Sequence, residues 1–250
     1  YTLFFLMGRK TDILHAHDPL SGLVAGVVGK LLGIKRILST HGTYNFTRIQ
    51  KIVFTFSASL LNKILVLSEF SRRELMRYGV VPNKIVRYKH WVNTDLFSPA
   101  SAINQNEHKS AFTILFVGRL CRKKGLHLLL KAISKLPNDV KLIIVGKGSL
   151  EKYAKAMSKH LHNVSFKGAV TTRELVHLYR ESEVTIVPSV YEEGFALVVL
   201  ESLACGTPVI VSNKGSLPET IDSSVGITIE PTLQGIIKAI LHLYRNRSEL

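Results

Sequence analysis

The 250-residue sequence has few cysteines, few acidic side chains and no long apolar run. Its two cysteines, Cys121 and Cys205, are too few for a disulfide framework, so a reducing, cytoplasmic compartment is expected. Apolar stretches such as Leu3–Met7 and Ala196–Leu200 fall far short of the roughly 20 residues of a spanning helix, so no segment is expected to cross a bilayer. A Walker A loop, a G-x-G-x-x-G turn and a G-x-S-x-G elbow are all missing. P-loop phosphoryl transfer, nicotinamide-dependent hydride transfer and serine-hydrolase chemistry thereby lose their usual sequence support. What is present is a folding composition: 46% hydrophobic residues, 20% charged, with 17 Gly and 8 Pro. Neither a disordered nor a collagen-like chain has that balance.

The scarcity of acid leaves a formal net charge of +15. Residues 1–107 carry 14 basic and 6 acidic side chains, and residues 108–250 carry 19 and 12. An excess spread over both halves does not form a basic arm, so no nucleic-acid partner is expected. A solvated basic surface, an anionic membrane surface and a site for anionic ligands all remain open.

Short β-rich runs alternate with amphipathic stretches along the chain. Strands are predicted over 12–16, 36–40, 63–67 and 84–88, with helices over 21–32, 46–61 and 69–78 between them. Residues 98–111 are polar and lack periodicity, as a linker does. The alternation then resumes, with strands over 112–117, 140–145, 164–167, 184–187, 208–211 and 226–229. Helices are predicted over 125–136, 149–160, 172–181, 195–204 and 233–244. Strands alternating with helices of this length imply βαβ units and parallel sheets. An α/β chain of two Rossmann-like domains is expected: a truncated one over 1–97, the linker 98–111, and a complete one over 112–250. Tyr1 follows no start signal and Leu250 no stop signal, so the sequence is expected to be a fragment.

In open parallel sheets, ligands bind beyond the carboxyl ends of the strands. After the strand ending at Val187 comes Pro188–Phe195, where Glu193 and Gly194 precede a predicted helix. Free N–H groups of Gly194, Phe195 and Ala196 at that helix start would suit an anion. Glu201 stands eight residues past Glu193, about 12 Å along a helix, which predicts one carboxylate at the mouth of a site and one deeper. Sugar hydroxyls would satisfy a buried carboxylate, whereas a salt bridge or an exposed position is the ordinary alternative. After the strand ending at Val117, Gly118 and Gly125 bracket Arg119, Arg122, Lys123 and Lys124. Cations in that place suit a diphosphate, and a merely solvated charge run is the competing reading.

In the first half, His15 and His17 end one predicted strand and His41 follows the next. No third ligand is obvious beside His15 and His17, so a metal site is not expected. His15 is expected to be packed, and His17 or His41 functional. Two readings also stand for Arg48–Lys63, with Ile49, Ile52, Val53, Phe54 and Phe56. It lies against anionic lipid, or it packs its apolar face onto the strands, which the need for covering helices favours.

The stretch Glu193-Gly-Phe-Ala-Leu-Val-Val-Leu-Glu201, followed by Ala204-Cys-Gly-Thr-Pro-Val209, resembles the E-x7-E signature of retaining GT-B glycosyltransferases of family 4. Phe116–Arg119 with Lys124-Gly125, Leu142–Gly148, Val164–Gly168, His90–Phe97 and Asp12–His17 resemble further pieces of that family in the family's order. The resemblance implies a GT-B fold and metal-independent, retaining transfer of a sugar from a UDP-, GDP- or ADP-sugar, with no other cofactor. It implies a glycan or lipid-linked acceptor, reached at the membrane face if lipid-linked. By similarity Glu201 holds the ribose, and Gly118, Arg119 and Lys124 the diphosphate. Gly194, Phe195 and Ala196 support phosphate or sugar, while Glu193 and His17 face the transferred sugar. Ala196 stands where the family usually has Gly. The family's glycine-rich loop after the first strand has no counterpart here. A catalytically incomplete nucleotide-sugar-binding fragment, or a subunit completed by another chain, is the non-enzyme alternative; a nucleotide-sugar epimerase is the other enzyme class.

Overall fold

The computed structural model describes residues 10–100 and 111–247. The predicted apolar start Leu3–Met7, most of the linker 98–111 and the end at Leu250 lie outside the described residues. The chain divides into two compact units. One runs to His90 and includes Glu193–Phe195; the other holds Trp91–Glu192 and the residues from Ala196 onward.

The first unit contains β1 (Ile13–Ala16), α1 (Pro19–Leu31), β2 (Lys35–Ser39), α2 (Arg48–Leu60), β3 (Lys63–Val66), α3 (Glu69–Arg77) and β4 (Ile85–Arg87). Its four strands are parallel in the order β1-β2-β3-β4. Local chemistry sets the helix starts. Asp18 accepts from the N–H groups of Leu20 and Ser21, and Thr47 forms a capping box with Gln50. The core joins Leu38, Ile64 and Val66 of the sheet to Ala25, Phe54, Ala58 and Leu75 of the helices.

The packing of α2 corrects the favoured sequence reading. Phe54, Ser57 and Ala58 face the core, whereas Ile49, Ile52, Val53 and Phe56 are exposed. The helix is apolar on two sides, and the sheet covers only one of them.

The second unit contains β5 (Phe112–Val117), α4 (Leu126–Ile133), β6 (Val140–Val145), α5 (Glu151–His160), β7 (Val164–Gly168), α6 (Thr172–Glu181), β8 (Val184–Val187), α7 (Leu197–Ala204), β9 (Val209–Ser212), β10 (Gly226–Ile229) and α8 (Leu233–Arg245). Six parallel strands run in the order β10-β9-β8-β5-β6-β7. Both faces of this sheet are covered. Ile114 and Phe116 pack with Leu126, Leu130, Ile236 and Ile240, while Leu115 faces Val176 and Tyr179 on the other side. Burial on both faces explains why these strands read as continuous apolar runs rather than alternating ones.

Chain order reverses at β5, which pairs with β6 on one side and β8 on the other. The connections leaving β5 and β8 therefore start from neighbouring carboxyl ends at a topological switch point, where ligands bind in open α/β sheets.

Candidate functional site

At the switch point, three connections are locked together by backbone contacts. Gly118 follows β5, a single 3-10 turn spans Arg122–Lys124, and Gly125 takes a left-handed conformation with φ 75° before α4 begins. The predicted start of that helix at Gly125 shifts to Leu126 for this reason. A Cβ on Gly125 would lie 1.9 Å from the carbonyl oxygen of Pro188, so only glycine lets the post-β5 turn meet the post-β8 loop. Val190 N–H donates to the Lys123 carbonyl at 2.9 Å across the same contact. The loop after β6 joins on the other side, where Leu120 N–H donates to the Lys147 carbonyl at 2.8 Å. A Cβ on Gly146 would stand 1.9 Å from the Gly118 carbonyl oxygen.

Side chains add to the same seam. The Lys123 and Lys124 ammonium groups lie 5.6 and 5.5 Å from the centre of the Tyr191 ring, within cation–π range. Glu192 accepts a hydrogen bond from the Gly215 N–H, tying the post-β8 loop to the turn after β9. Arg119, Arg122, Lys123 and Lys124 thus crowd onto a turn whose backbone is fixed, and such a concentration of one sign of charge attracts anions.

The two carboxylates are placed differently from the expectation. Helix α7 starts at Leu197 with Ala196 as its N-cap, not at Phe195, so only Glu201 is helical. Gly194, Phe195 and Ala196 precede the first turn, and the N–H groups that lack an intrahelical acceptor there are those of Leu197 and its neighbours. Glu193 lies outside any helix or strand and is only 3% exposed, whereas Glu201 is half-buried.

Glu201 is held by Tyr179, whose hydroxyl donates to its Oε2 at 2.8 Å. Burial pushes the Glu201 carboxyl above its ordinary value, and the Tyr179 hydrogen bond partly offsets that rise. Burial and the neighbouring Glu201 charge push the Tyr179 phenol far up, so it stays a donor. Buried hydroxyls fix the surroundings. Ser202 Oγ donates to the Thr207 carbonyl at 2.8 Å, and Thr207 Oγ1 donates to the Tyr179 carbonyl at 2.6 Å. Sequence reasoning missed Tyr179, although a tyrosine three residues past Val176 on a buried helix face signals a hydroxyl that needs a partner.

In the first unit, β1 stops at Ala16, so His17 lies just past the strand's end. The His15 and His17 rings approach to 4.3 Å between centroids, and His17 Nδ1 lies 2.9 Å from His41 Nε2. His15 Nε2 is 2.8 Å from Ser39 Oγ. His15 is exposed rather than packed. Burial lowers the His15 and His41 values, and the neighbouring imidazoles lower them further. Among the described residues no group of three His, Cys, Asp or Glu side chains is arranged to hold a metal ion.

Residues 100–250 match the family Glycosyl transferases group 1. This chain belongs to the glycosyl transferases group 1 family. Residues 3–96 of the group 1 chain match a second family, Glycosyltransferase Family 4. An uncharacterized glycosyltransferase of Methanocaldococcus jannaschii is 29% identical over 89% of the chain and 63% of its own length. The D-inositol 3-phosphate glycosyltransferase of Corynebacterium diphtheriae is 26% identical over 88% of the chain and 59% of its own length. The group 1 chain therefore spans about three-fifths of the curated relatives it matches. Among solved structures, Anabaena HepE in complex with UDP superposes with a TM-score of 0.87 at 18% identity, covering 99% of this chain and 72% of that one. Sucrose-phosphate synthase from Thermosynechococcus elongatus gives 0.82 at 22%, covering 98% and 67%. The GT-B class expected from the sequence is the fold these likenesses show.

Proposed function

We propose that this chain carries the donor site of a retaining glycosyltransferase that moves a sugar from a nucleotide diphosphate sugar to an acceptor hydroxyl. The single observation that carries this reading is the glycine-locked cationic turn at the β5/β8 switch point, with Glu201 on the adjoining helix α7. Arg119 and Lys124 hold the diphosphate, and the backbone of Gly118, Gly194, Phe195 and Ala196 lines its approach. Glu201 accepts from the ribose hydroxyls. The resemblance to family 4 gives His17 and Glu193 the transferred sugar.

Catalysis in this reading is electrostatic. As the anomeric C–O bond breaks, the bonding pair leaves with the diphosphate, and fixed cations and N–H dipoles stabilise the charge. The acceptor oxygen forms the new C–O bond on the face the sugar began with, and the departing diphosphate takes up its proton. No step calls for a resident metal. The acceptor is a hydroxyl of a glycan or of a lipid-linked precursor. Binding of UDP by Anabaena HepE supports a nucleotide donor and makes UDP-sugars the first to test.

Release of free nucleoside diphosphate is measured across UDP-, GDP- and ADP-sugars, with a chelator present. Turnover with one base, unaffected by chelation, is the expected result. Glu201→Ala should weaken donor binding at least about tenfold, the scale of one lost hydrogen bond to a charged group. Arg119→Ala with Lys124→Ala should lower kcat about 100-fold or more. Unchanged constants in both variants would overturn the site. A second reading, a nucleotide-sugar-binding piece that needs further chain to turn over, is favoured by the limited span of the relatives. Donor binding without diphosphate release would select it.

A further inference from the structure

Three consecutive residues of the connection after β8 are each held against another loop of the second unit. Val190 donates its N–H to the Lys123 carbonyl at 2.9 Å, and Glu192 accepts from the Gly215 N–H. Tyr191 stands between these two anchors, so the backbone that carries its ring is fixed on both sides. Both ammonium groups of the post-β5 turn stand over that ring, Lys123 Nζ at 5.6 Å and Lys124 Nζ at 5.5 Å from its centre.

The turn beneath the lysines allows little adjustment. Lys124 N–H donates to the Cys121 carbonyl at 3.1 Å, and Gly125 N–H donates to the Arg122 carbonyl at 3.0 Å. With the backbone held, the side-chain torsions are what remains free. A lysine in solvent samples many of them on its flexible four-carbon stem, and two adjacent ammonium groups repel each other. A π face attracts both cations at once, and so narrows the places where they stand.

An anion gains from a pair gathered in this way. A diphosphate spreads its charge over two phosphoryl groups, and two cations already in place meet it at a lower ordering cost than one fixed and one mobile. We infer that Tyr191 is a positioning residue of the donor site, its ring gathering Lys123 and Lys124 into a cation pair, and that Lys123 thereby joins Lys124 on the diphosphate. The inference rests on the donor-site reading and deepens it. It adds a second lysine to the diphosphate contacts and names the ring that places both.

The test is isothermal titration of the whole chain with UDP, GDP and ADP, then with the monophosphate and the nucleoside of whichever binds most tightly. Tyr191→Leu removes the π face and should weaken the diphosphate about five- to tenfold, with the nucleoside changed less than about twofold. Tyr191→Phe should restore the diphosphate affinity, since the ring and not the hydroxyl holds the cations. Lys123 is exposed, so Lys123→Gln probes the pair with little risk to the fold. It should cost the diphosphate a similar factor, and joining it to Tyr191→Leu should cost less than the product of the two. The monophosphate should fall between diphosphate and nucleoside in its response. Equal losses for diphosphate and nucleoside in Tyr191→Leu would make the tyrosine merely structural and overturn the inference. So would unchanged diphosphate affinity in Tyr191→Leu or in Lys123→Gln, or no rescue by Tyr191→Phe; tight diphosphate binding in any of these cases leaves the donor-site reading standing. No binding of any of the three diphosphates by the unaltered chain would overturn that reading, and this inference with it.

Discussion

The residue with most leverage on the donor site is one that touches no proposed ligand. Tyr179 is buried, packs edge-on to Phe97 at 6.2 Å between centroids, and donates its hydroxyl to Glu201. Removing that hydroxyl leaves a half-buried carboxylate short of a donor, so Tyr179→Phe should destabilise the fold by about 1–3 kcal/mol, measured by urea unfolding. Donor affinity should fall with it, because the carboxylate is no longer held in one position. The imidazoles of the first unit give a pH dependence of definite sign. His15 and His41 are held below the ordinary value of 6.5, so between their folded values and 6.5 the unfolded chain binds more protons. Their contribution to stability is complete above 6.5 and is lost as pH falls through the folded values. Unfolding free energy compared at pH of about 7.5 and 5.5 should show the drop, and His15→Gln with His41→Gln should flatten it.

At the scale of elements, the position of β5 between β6 and β8 decides where chemistry can occur. Its connection meets the one after β8 through Gly125, and the contact has no room for a methyl group. Gly125→Ala combines a clash with a left-handed backbone, and should cost at least about 2 kcal/mol by urea unfolding. It should also move the cations from their places, so nucleotide binding should drop more than stability alone explains. Comparison with Gly33→Ala separates the two effects. Gly33 has a φ of 69°, but a methyl there would meet nothing within 4 Å, so it carries the backbone strain without the clash.

For the whole molecule the governing quantity is the net charge of +15. A field of one sign spread over the chain draws a dianionic nucleotide from a distance, and salt screens it over a Debye length of about 8–10 Å. Affinity for a nucleoside diphosphate should therefore fall several-fold between about 0.02 and about 0.3 M salt, by isothermal titration. A salt-independent affinity would mean that only the few contacting groups matter.

Residue pattern alone sets most of the elements. Strand residues 112–117, 140–145, 184–187 and 226–229 and helix residues 172–181 are where the apolar runs and capping residues put them. Glycines bracketing the cations located the turn, because a special backbone angle selects that residue type. Helix ends were less legible. Gly125 and Ala196 lie outside their helices, since a left-handed angle at one and an extended one at the other depend on what each loop packs against. Three-dimensional structure alone decided the pairing of β5 with β8, the partnership of Tyr179 with Glu201, and the close approach of His17 to His41. Each joins residues that are distant in the chain or oriented by a strand's end. The outward face of α2 belongs to the same class: periodicity shows that a helix has apolar sides, but only packing shows which side is covered.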